Sequence, residues 1–250
     1  TASAHLENYN DGIKSKDLSD FHSNKASAPV SETSFSLNIL YEDTDILAVD
    51  KPAGMVTHPT GMHYTDSLSN SVAASRLQSV KSPCKIHKQY LAAVSGTLPV
   101  DMPGVWHTLD LPLMQDPENH LKMKTAADLS LHSSVLSGKI KTAVTHYHTL
   151  FTSQDWSLVT LKLDTGRTHQ IRAHLSSTGH PIIGDSKYGN PKVNSIFRKK
   201  YALKYQLLHA WKMQFPKRED ALAKVSEKEL TAPLPEGFTT IIKGEGLEWE

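Results

Sequence analysis

The chain concentrates its conformationally special residues in LDTGRTHQIRAHLSSTGHPIIGD, which runs from Leu163 to Asp185. Two arginines, three histidines and three glycines occur in this short stretch. Charged and polar side chains usually face solvent singly, so such a density seldom serves packing alone. The stretch therefore indicates a functional turn.

The residues around this stretch predict a strand, a turn and a helix. Apolar and polar residues alternate along WSLVTLKLD (156–164), as in a strand with one apolar face. Thr165 and Gly166 interrupt the alternation, and Thr168 is a candidate helix cap. Apolar residues then recur at helical spacing over 169–178, before the glycine and proline that end a helix.

Arg167 and Arg172 are placed by this prediction at the mouth of a strand-to-helix turn. Guanidinium groups there suit a phosphate or a carboxylate, and a helix start adds free N–H donors. The alternative is that both arginines form surface ion pairs, which contribute little, while the histidines cap or pack. Two further segments decide in favour of function.

The first of these segments is ILAVDKPAGMVTHPTG (46–61), an alternating strand that stops at Lys51 and Pro52. Proline cannot donate to a sheet, and the loop that follows is rich in glycine and carries His58. The second is HKQYLAAVSG (87–96), a strand that presents Tyr90 beside a basic flank.

Together the three segments resemble the RluA-type pseudouridine synthases over about residues 37–215. DILAVDKPAGMVTHP looks like the first block of that family, KQYLAAVSG its tyrosine strand, and LDTGRTHQIRAHLSSTGHPIIGDSKYG its last block. The intervening pattern is matched by LDLPLMQDPENHLKM, AVTHYHTL and LLHAWKMQF. So many ordered matches exclude a chance resemblance.

One block of the family pattern is not found in this chain. The family carries HRLDxxTSG, whose aspartate is catalytic, between the first block and the tyrosine strand. Here the sequence reads RLQSVKSPCKIHKQY, so Gln78 follows Arg76 and Leu77. The segment expected near 77–85 is missing, and no nucleophile is assigned.

Three explanations remain for this gap. The determined sequence omits a segment, or the protein is an inactive relative that still binds RNA, or another carboxylate such as Asp66 or Asp110 replaces the aspartate. We favour the first, because deleting a core strand and helix leaves apolar faces unburied. Neither Asp66 nor Asp110 is catalytic in the family pattern.

The resemblance implies the chemistry of the site. The family's enzymes detach uracil from ribose, turn the base and rejoin it through carbon, with no cofactor. Arg172 would hold the catalytic aspartate ionised, and Tyr90 would stack on the base. Without the resemblance, Tyr90 reads as a core tyrosine. The residues expected to contact RNA are Arg167, Lys51, His58, Lys88, Arg198, Lys199 and Lys200.

The order of elements predicts an α+β fold with a mixed, largely antiparallel sheet flanked by a few helices. Strands are expected in LNILYE, DILAVDK, KQYLAAVSG, KTAVTHYHTLF, WSLVTLKLD and LLHAWKMQF, and helices over 66–77, 169–178 and around 194–204. Residues 1–34 are polar and predict a flexible extension. Residues 35–250 form the expected catalytic domain.

Composition narrows the function little. The 250 residues carry a formal charge of +1, which is weak evidence for an RNA partner, so local basic clusters matter more. One cysteine excludes an internal disulfide framework, and no apolar run is long enough to cross a membrane. Histidine spacing such as HExxH, a Walker loop and GxGxxG do not occur, so no metal or nucleotide cofactor is expected.

The sequence thus predicts a cytoplasmic, monomeric RNA pseudouridine synthase that acts on structured RNA, with ribosomal RNA favoured over transfer RNA. The alternative is a catalytically inactive RNA-binding relative. A hydrolase that uses the histidines is a distant third, because no GxSxG nucleophile elbow occurs.

Overall fold

The computed structural model describes residues 37–43, 46–57, 67–68, 86–128, 140–219 and 223–248. These residues fall in two compact units, one within residues 2–85 and one within 86–250. The predicted extension 1–34, His58, Asp66, most of the predicted helix 66–77 and the segment 77–85 lie outside the described residues.

The unit within residues 2–85 contains an antiparallel hairpin, formed by β1 (Asn38–Glu42) and β2 (Leu47–Asp50). Asp43 closes its turn, because the Asp43 carboxylate accepts a hydrogen bond from the Ile46 backbone N–H at 2.8 Å. Both strands were predicted from their alternation of apolar and polar residues. Lys51 and Pro52 follow β2 directly, where proline ends the pairing.

The unit within residues 86–250 is built on a six-stranded sheet. Its strands run in the order β10-β9-β3-β8-β7-β4, and every neighbouring pair is antiparallel. A small hairpin of two further strands, β5 and β6, lies outside it. The strands are β3 (His87–Ser95), β4 (His107–Asp110), β5 (Leu113–Gln115), β6 (Met123–Thr125), β7 (Val144–Thr152), β8 (Trp156–Leu163), β9 (Leu208–Gln214) and β10 (Glu229–Thr231).

The helices of this unit pack on both faces of the sheet. They are α1 (Gln170–Ser177), α2 (Pro191–Tyr201) and α3 (Glu236–Gly244). Successive residues of a strand point to opposite faces. Ala92 and Val94 of β3 pack with α1, whereas Leu91 and Ala93 pack with α2 and α3. We call these the α1 face and the α2–α3 face. The predicted α+β class and largely antiparallel sheet are confirmed.

Two helix starts differ from the prediction. Helix α1 begins at Gln170, and its N-cap is His169 in a left-handed conformation, not Thr168. Helix α2 begins at Pro191 instead of near residue 194. The Asn190 side chain accepts hydrogen bonds from the Lys192 and Val193 backbone N–H groups, and proline is well suited to the first helical position.

Helix α3 and the strands β4, β5, β6 and β10 were not predicted. Helix α3 buries Phe238, Ile241 and Ile242, which recur at helical spacing. In the described part of the chain, no helix combines the length and the apolar character needed to cross a membrane.

Candidate active site

The turn between β8 and α1 is held by the side chain of Gln170. Its Oε1 accepts hydrogen bonds from the Arg167 backbone N–H at 3.0 Å and from the Thr165 hydroxyl at 2.9 Å. Its Nε2 donates to the Val144 carbonyl at 2.9 Å and to the Thr145 hydroxyl oxygen at 3.0 Å. All these groups belong to the turn or to β7. Gln170 therefore fixes the start of α1 against the sheet.

His174 continues this polar network into the core. Its ring is fully buried and lies 2.8 Å from the Leu111 carbonyl through Nε2 and 2.9 Å from the Thr145 hydroxyl through Nδ1. A carbonyl can only accept, so Nε2 carries the proton and Nδ1 accepts from Thr145. Burial lowers the pKa of His174, which keeps the ring neutral. His174 therefore links the Leu111 carbonyl to the Thr145 hydroxyl inside the core.

Arg172 makes a bidentate ion pair with Asp185. The guanidinium Nε and Nη2 each donate to a different carboxylate oxygen of Asp185 at 2.6 Å. Asp185 is fully buried, and its Oδ1 also accepts from the backbone N–H groups of Lys187 and Tyr188. Burial alone would raise the pKa of Asp185, but the Arg172 and backbone hydrogen bonds outweigh it and hold the pKa below its usual value.

The Asp185 pair uses only one edge of the Arg172 guanidinium. Within the described ranges, Nη1 has no hydrogen-bond partner, and the side chain keeps 13% of its surface exposed. Arg172 was expected to hold a carboxylate. The structure supplies one from the end of the same motif and leaves the second edge of the guanidinium available for another anion.

Tyr188 lies beneath Arg172 and connects it to His169. The Arg172 Cζ is 4.9 Å from the ring centre of Tyr188. The Tyr188 hydroxyl accepts from the Met123 backbone N–H at 2.6 Å, so its own proton can be donated to the His169 Nδ1 at 3.0 Å. Burial, followed by the charges of Arg172 and Lys187, lowers the pKa of His169 to about 4. His169 is therefore neutral at pH 7.

Tyr90 lies in the interior of the sheet, on the same face as α1. It pairs with Leu161 of β8 and Ala210 of β9, and its ring packs against the core residues under α1. Burial raises the pKa of Tyr90, so the hydroxyl stays protonated. No hydrogen-bond partner for that hydroxyl is found among the residues that the structure describes. The neighbouring strands β8 and β9 therefore fix the position of the ring.

Arg167 is exposed, in contrast to Arg172. Its Nε donates to the Thr142 carbonyl at 3.0 Å, which ties the side chain to the strand segment before β7. In the described part of the chain its two terminal nitrogens have no partner. This arrangement presents a pre-oriented guanidinium fork to solvent.

The other predicted RNA contacts are not all on this face. Lys88 is half-buried near the start of β3. Arg198, Lys199 and Lys200 lie on α2, which packs on the opposite face, and Lys200 donates to Glu245 at 2.8 Å, which raises its pKa. The structure thus places Tyr90 under α1, Arg172 on that helix and Arg167 in the turn that leads into it, whereas the basic run of α2 lies on the opposite face.

Lys51 belongs to the unit within residues 2–85 and is turned inward. Its ammonium donates to the Pro52 carbonyl at 3.1 Å and to the Met55 carbonyl at 2.6 Å. The side chain is buried, and burial lowers the pKa of Lys51. The ammonium group that was predicted to contact RNA therefore already closes the turn after β2.

Sequence reasoning missed the roles of Asp185 and Tyr188. Asp185 stands at the end of the quoted motif, between Gly184 and Ser186, and a buried carboxylate needs a charged partner. That rule could have suggested Arg172 as its partner. Asp110, a rejected candidate nucleophile, ends β4 and is exposed. In the described residues, no cluster of three His, Cys, Asp or Glu side chains could hold a metal ion.

Comparison with known proteins agrees with this geometry. Residues 69–177 match the family model of RNA pseudouridylate synthase. The chain is 32% identical to the uncharacterized RNA pseudouridine synthase YlyB of Bacillus subtilis, over 83% of this chain and 72% of the relative. It is 30% identical to the ribosomal large subunit pseudouridine synthase D of Zymomonas mobilis, over 72% of this chain but only 64% of that protein.

A solved structure shares the fold. The human RNA pseudouridylate synthase domain containing 4 protein superposes with a TM-score of 0.59 at 23% identity, over 85% of this chain and 94% of the other. The sequence similarity to YlyB covers most of both chains, and the motifs around Tyr90 and Arg172 lie within it. The chain therefore belongs to the RluA-type family of RNA pseudouridine synthases, which are isomerases.

Proposed function

We propose that this protein isomerises specific uridines to pseudouridine in structured RNA, and that its substrate is ribosomal RNA. The observation that carries the proposal is the state of Arg172, whose guanidinium is fixed on one edge by Asp185 and unpaired on the other. Relatives named ribosomal large subunit pseudouridine synthase D favour ribosomal over transfer RNA. A cytoplasmic, monomeric protein is part of the same proposal.

The unpaired edge of Arg172 suits the catalytic aspartate of the family. Asp185 and the Tyr188 ring hold the guanidinium, so a second carboxylate meets a charged group that is already oriented. The guanidinium would keep that carboxylate ionised. An ionised carboxylate can attack the anomeric carbon or remove a proton from the sugar.

The aspartate itself belongs to the block that was not found in the sequence. The alignment with YlyB is 244 positions long. It includes 83% of the 250 residues of this chain, which is about 208 residues. About 36 positions of YlyB therefore lie opposite gaps in this chain. An average helix and strand with their connections need a segment of roughly this size. This difference supports the explanation that a segment is missing from this sequence.

Tyr90 is the residue that we assign to the base. A flat ring in the interior of the sheet offers uracil a stacking surface. In the reaction, the bond from N1 of uracil to the anomeric carbon breaks, the base turns, and carbon five bonds to the same carbon. Carbon five loses its proton and N1 gains one, so substrate and product have the same atoms and no cofactor is needed.

Binding must also supply the energy that extracts the uridine from structured RNA, a few kcal/mol. Arg167 is our strongest candidate for a phosphate contact, because its fork is exposed and anchored at Thr142. Lys88, Arg198 and Lys199 remain predictions. Lys51 and Lys200 also remain predictions, and each ammonium group already donates to a protein group, Lys51 to two backbone carbonyls and Lys200 to Glu245. His58 lies outside the described residues.

The alternative is an inactive RNA-binding relative. One observation favours it: Arg172 already has a buried counter-charge in Asp185, so the fold does not require the catalytic aspartate for charge balance. Gln78 follows Arg76 and Leu77, where the family has its aspartate.

Release of tritium from RNA that carries uridine labelled at carbon five separates these functions. We expect release by the protein expressed from its natural coding sequence, and an intact mass above 27.7 kDa if a block is missing from the sequence. Arg172→Ala should abolish release while it retains most of the RNA affinity. Binding of ribosomal RNA without any release would establish the inactive relative instead.

A further inference from the structure

Three segments of the chain meet around Tyr188 on the α1 side of the sheet. The turn between β5 and β6 supplies Lys122, the loop after Asp185 supplies Lys187, and α1 supplies Arg172. Tyr188 joins them, because its hydroxyl accepts from the backbone N–H of Met123 at 2.6 Å. Helix α1 also packs directly against β6. The three cations are therefore held near one another by tertiary contacts.

Each cation is positioned by a specific contact. The Lys122 Nζ is 5.8 Å and the Arg172 Cζ 4.9 Å from the ring centre of Tyr188. The Lys187 Nζ donates to the Leu121 carbonyl at 3.3 Å, which brings it to the same turn. Both lysines are half-buried, so their aliphatic stems pack against the protein.

The acidic groups of this region are already paired. Asp185 is fully buried and bonded to Arg172, and Asp116 pairs with Lys124 at 3.3 Å. Glu118 is highly exposed and lies 3.9 Å from the same Lys124. Lys122 and Lys187 have no carboxylate partner within the described residues. The local charge is therefore positive in a protein that is nearly neutral overall.

The pKa of His169 responds to two of the same cations. Its side chain contacts Tyr188, and after burial the charges of Arg172 and Lys187 are the largest influences that lower its pKa to about 4. The effect of Asp185 is smaller and opposite in sign. An anion placed beside these cations would lower their mutual repulsion.

We propose that Lys122 and Lys187 form an anion site beside Tyr188 that binds a phosphate of the RNA strand entering the active site. This inference rests on the proposed function for the identity of the ligand. Lysine ammonium groups act as point charges, which suits a backbone contact that carries no base specificity. Their site adds affinity and orientation to the exposed fork of Arg167.

The test is the salt dependence of RNA binding by the double variant Lys122→Gln/Lys187→Gln. A fluorescently labelled, structured ribosomal RNA fragment is titrated with protein between 50 and 200 mM salt, and fluorescence anisotropy gives the Kd. Log Kobs falls as log salt rises, and each lost phosphate contact reduces the magnitude of this slope by roughly 0.7 to 0.9. Because the site binds one phosphate, we expect the magnitude of the slope to fall by about 0.7 to 0.9 and the affinity to be about tenfold weaker at low salt.

A matched control removes two exposed lysines from elsewhere. Lys224→Gln/Lys243→Gln has the same change in net charge, and Lys243 lies on α3, on the opposite face of the sheet. We expect this control and the charge-retaining variant Lys122→Arg/Lys187→Arg to keep the slope of the unchanged protein. Thermal unfolding of all variants verifies that each is folded.

The outcomes separate this inference from the proposed function. Equal slopes for the two glutamine double variants would overturn the anion site and leave RNA binding intact. A loss of affinity at constant slope would also overturn it, because a phosphate contact must change the slope. No RNA binding by the unchanged protein would overturn the proposed function together with the site.

Discussion

The two faces of the sheet are built by different means. On the α1 face, buried polar side chains such as Gln170, His174 and Thr145 bond to one another and to backbone groups. On the α2–α3 face, the core is formed by a larger apolar cluster than on the α1 face, and it includes Phe238 and Ile241. Buried polar networks fix geometry, whereas apolar burial dominates stability. We infer that the α2–α3 face stabilises the fold and the α1 face orients the site.

The largest loss of stability should follow from truncating an apolar side chain on the α2–α3 face. Phe238 is 4% exposed and packs in the core under α3, so Phe238→Ala should lower the free energy of unfolding by about 3 to 5 kcal/mol. Urea unfolding measures this loss. RNA affinity of the folded protein should not change, since Phe238 lies away from the α1 face.

Phe238→Leu is the matched control, because it keeps most of the volume and should cost less than about 1.5 kcal/mol. A Phe238→Ala protein that keeps its stability but loses RNA affinity would contradict the division between the two faces.

The second effect concerns the ion pair on the α1 face. Asp185→Asn leaves the Arg172 charge without its partner in a mostly buried place, so unfolding free energy should fall by about 3 kcal/mol. Urea unfolding of Asp185→Asn, Arg172→Gln and the double variant gives the coupling between the two side chains. Additive losses would mean that the pair does not act as a unit.

The third effect is the pH dependence of stability. The pKa values of His169, at about 4, and His174 are lowered in the folded protein, so near pH 6 the unfolded chain binds more protons. Stability should therefore fall as the pH drops from about 6.5 towards 4, by less than about 1.4 kcal/mol per pH unit for each histidine. Urea unfolding at several pH values measures the slope.

His169→Gln should reduce this slope, because glutamine binds no proton in either state. His120 is exposed, so His120→Gln provides the control substitution. If His169→Gln and His120→Gln change the slope equally, the neutral His169 beside Tyr188 is not a feature of the folded protein.

The sequence predicted the fold where a strand was long enough to display its period. Strands β3, β7 and β8 each extend over eight or nine residues and were located to within a few residues. Strands β5, β6 and β10 have three residues each, which is too short for any periodicity to stand out. The start of α2 was displaced because the Asn190 cap and Pro191 override the apolar spacing.

The site was predictable in its residues but not in its pairings. The motifs predicted that Arg167, Arg172 and Tyr90 belong to one site, and the structure puts Tyr90 under α1, Arg172 on that helix and Arg167 in the turn before it. The pairing of Arg172 with Asp185 depends on how the chain returns after α1, which local spacing does not encode. The separation of Arg198 from the α1 face depends on where α2 packs, which is a tertiary property as well.

The smallest effect on stability, and the most direct test of the α1 face, comes from Arg167. Its guanidinium is exposed and makes one hydrogen bond, to the Thr142 carbonyl, so Arg167→Gln should change the free energy of unfolding by less than about 0.5 kcal/mol. RNA binding should weaken, and the slope of log Kobs against log salt should fall by about 0.7 to 0.9, because one phosphate contact is lost. Arg198→Gln removes an equally exposed arginine from the opposite face. If RNA enters along the α1 face alone, only Arg167→Gln changes the slope. Equal changes in the two variants would place RNA on both faces and would contradict the inference that the α2–α3 face serves only stability.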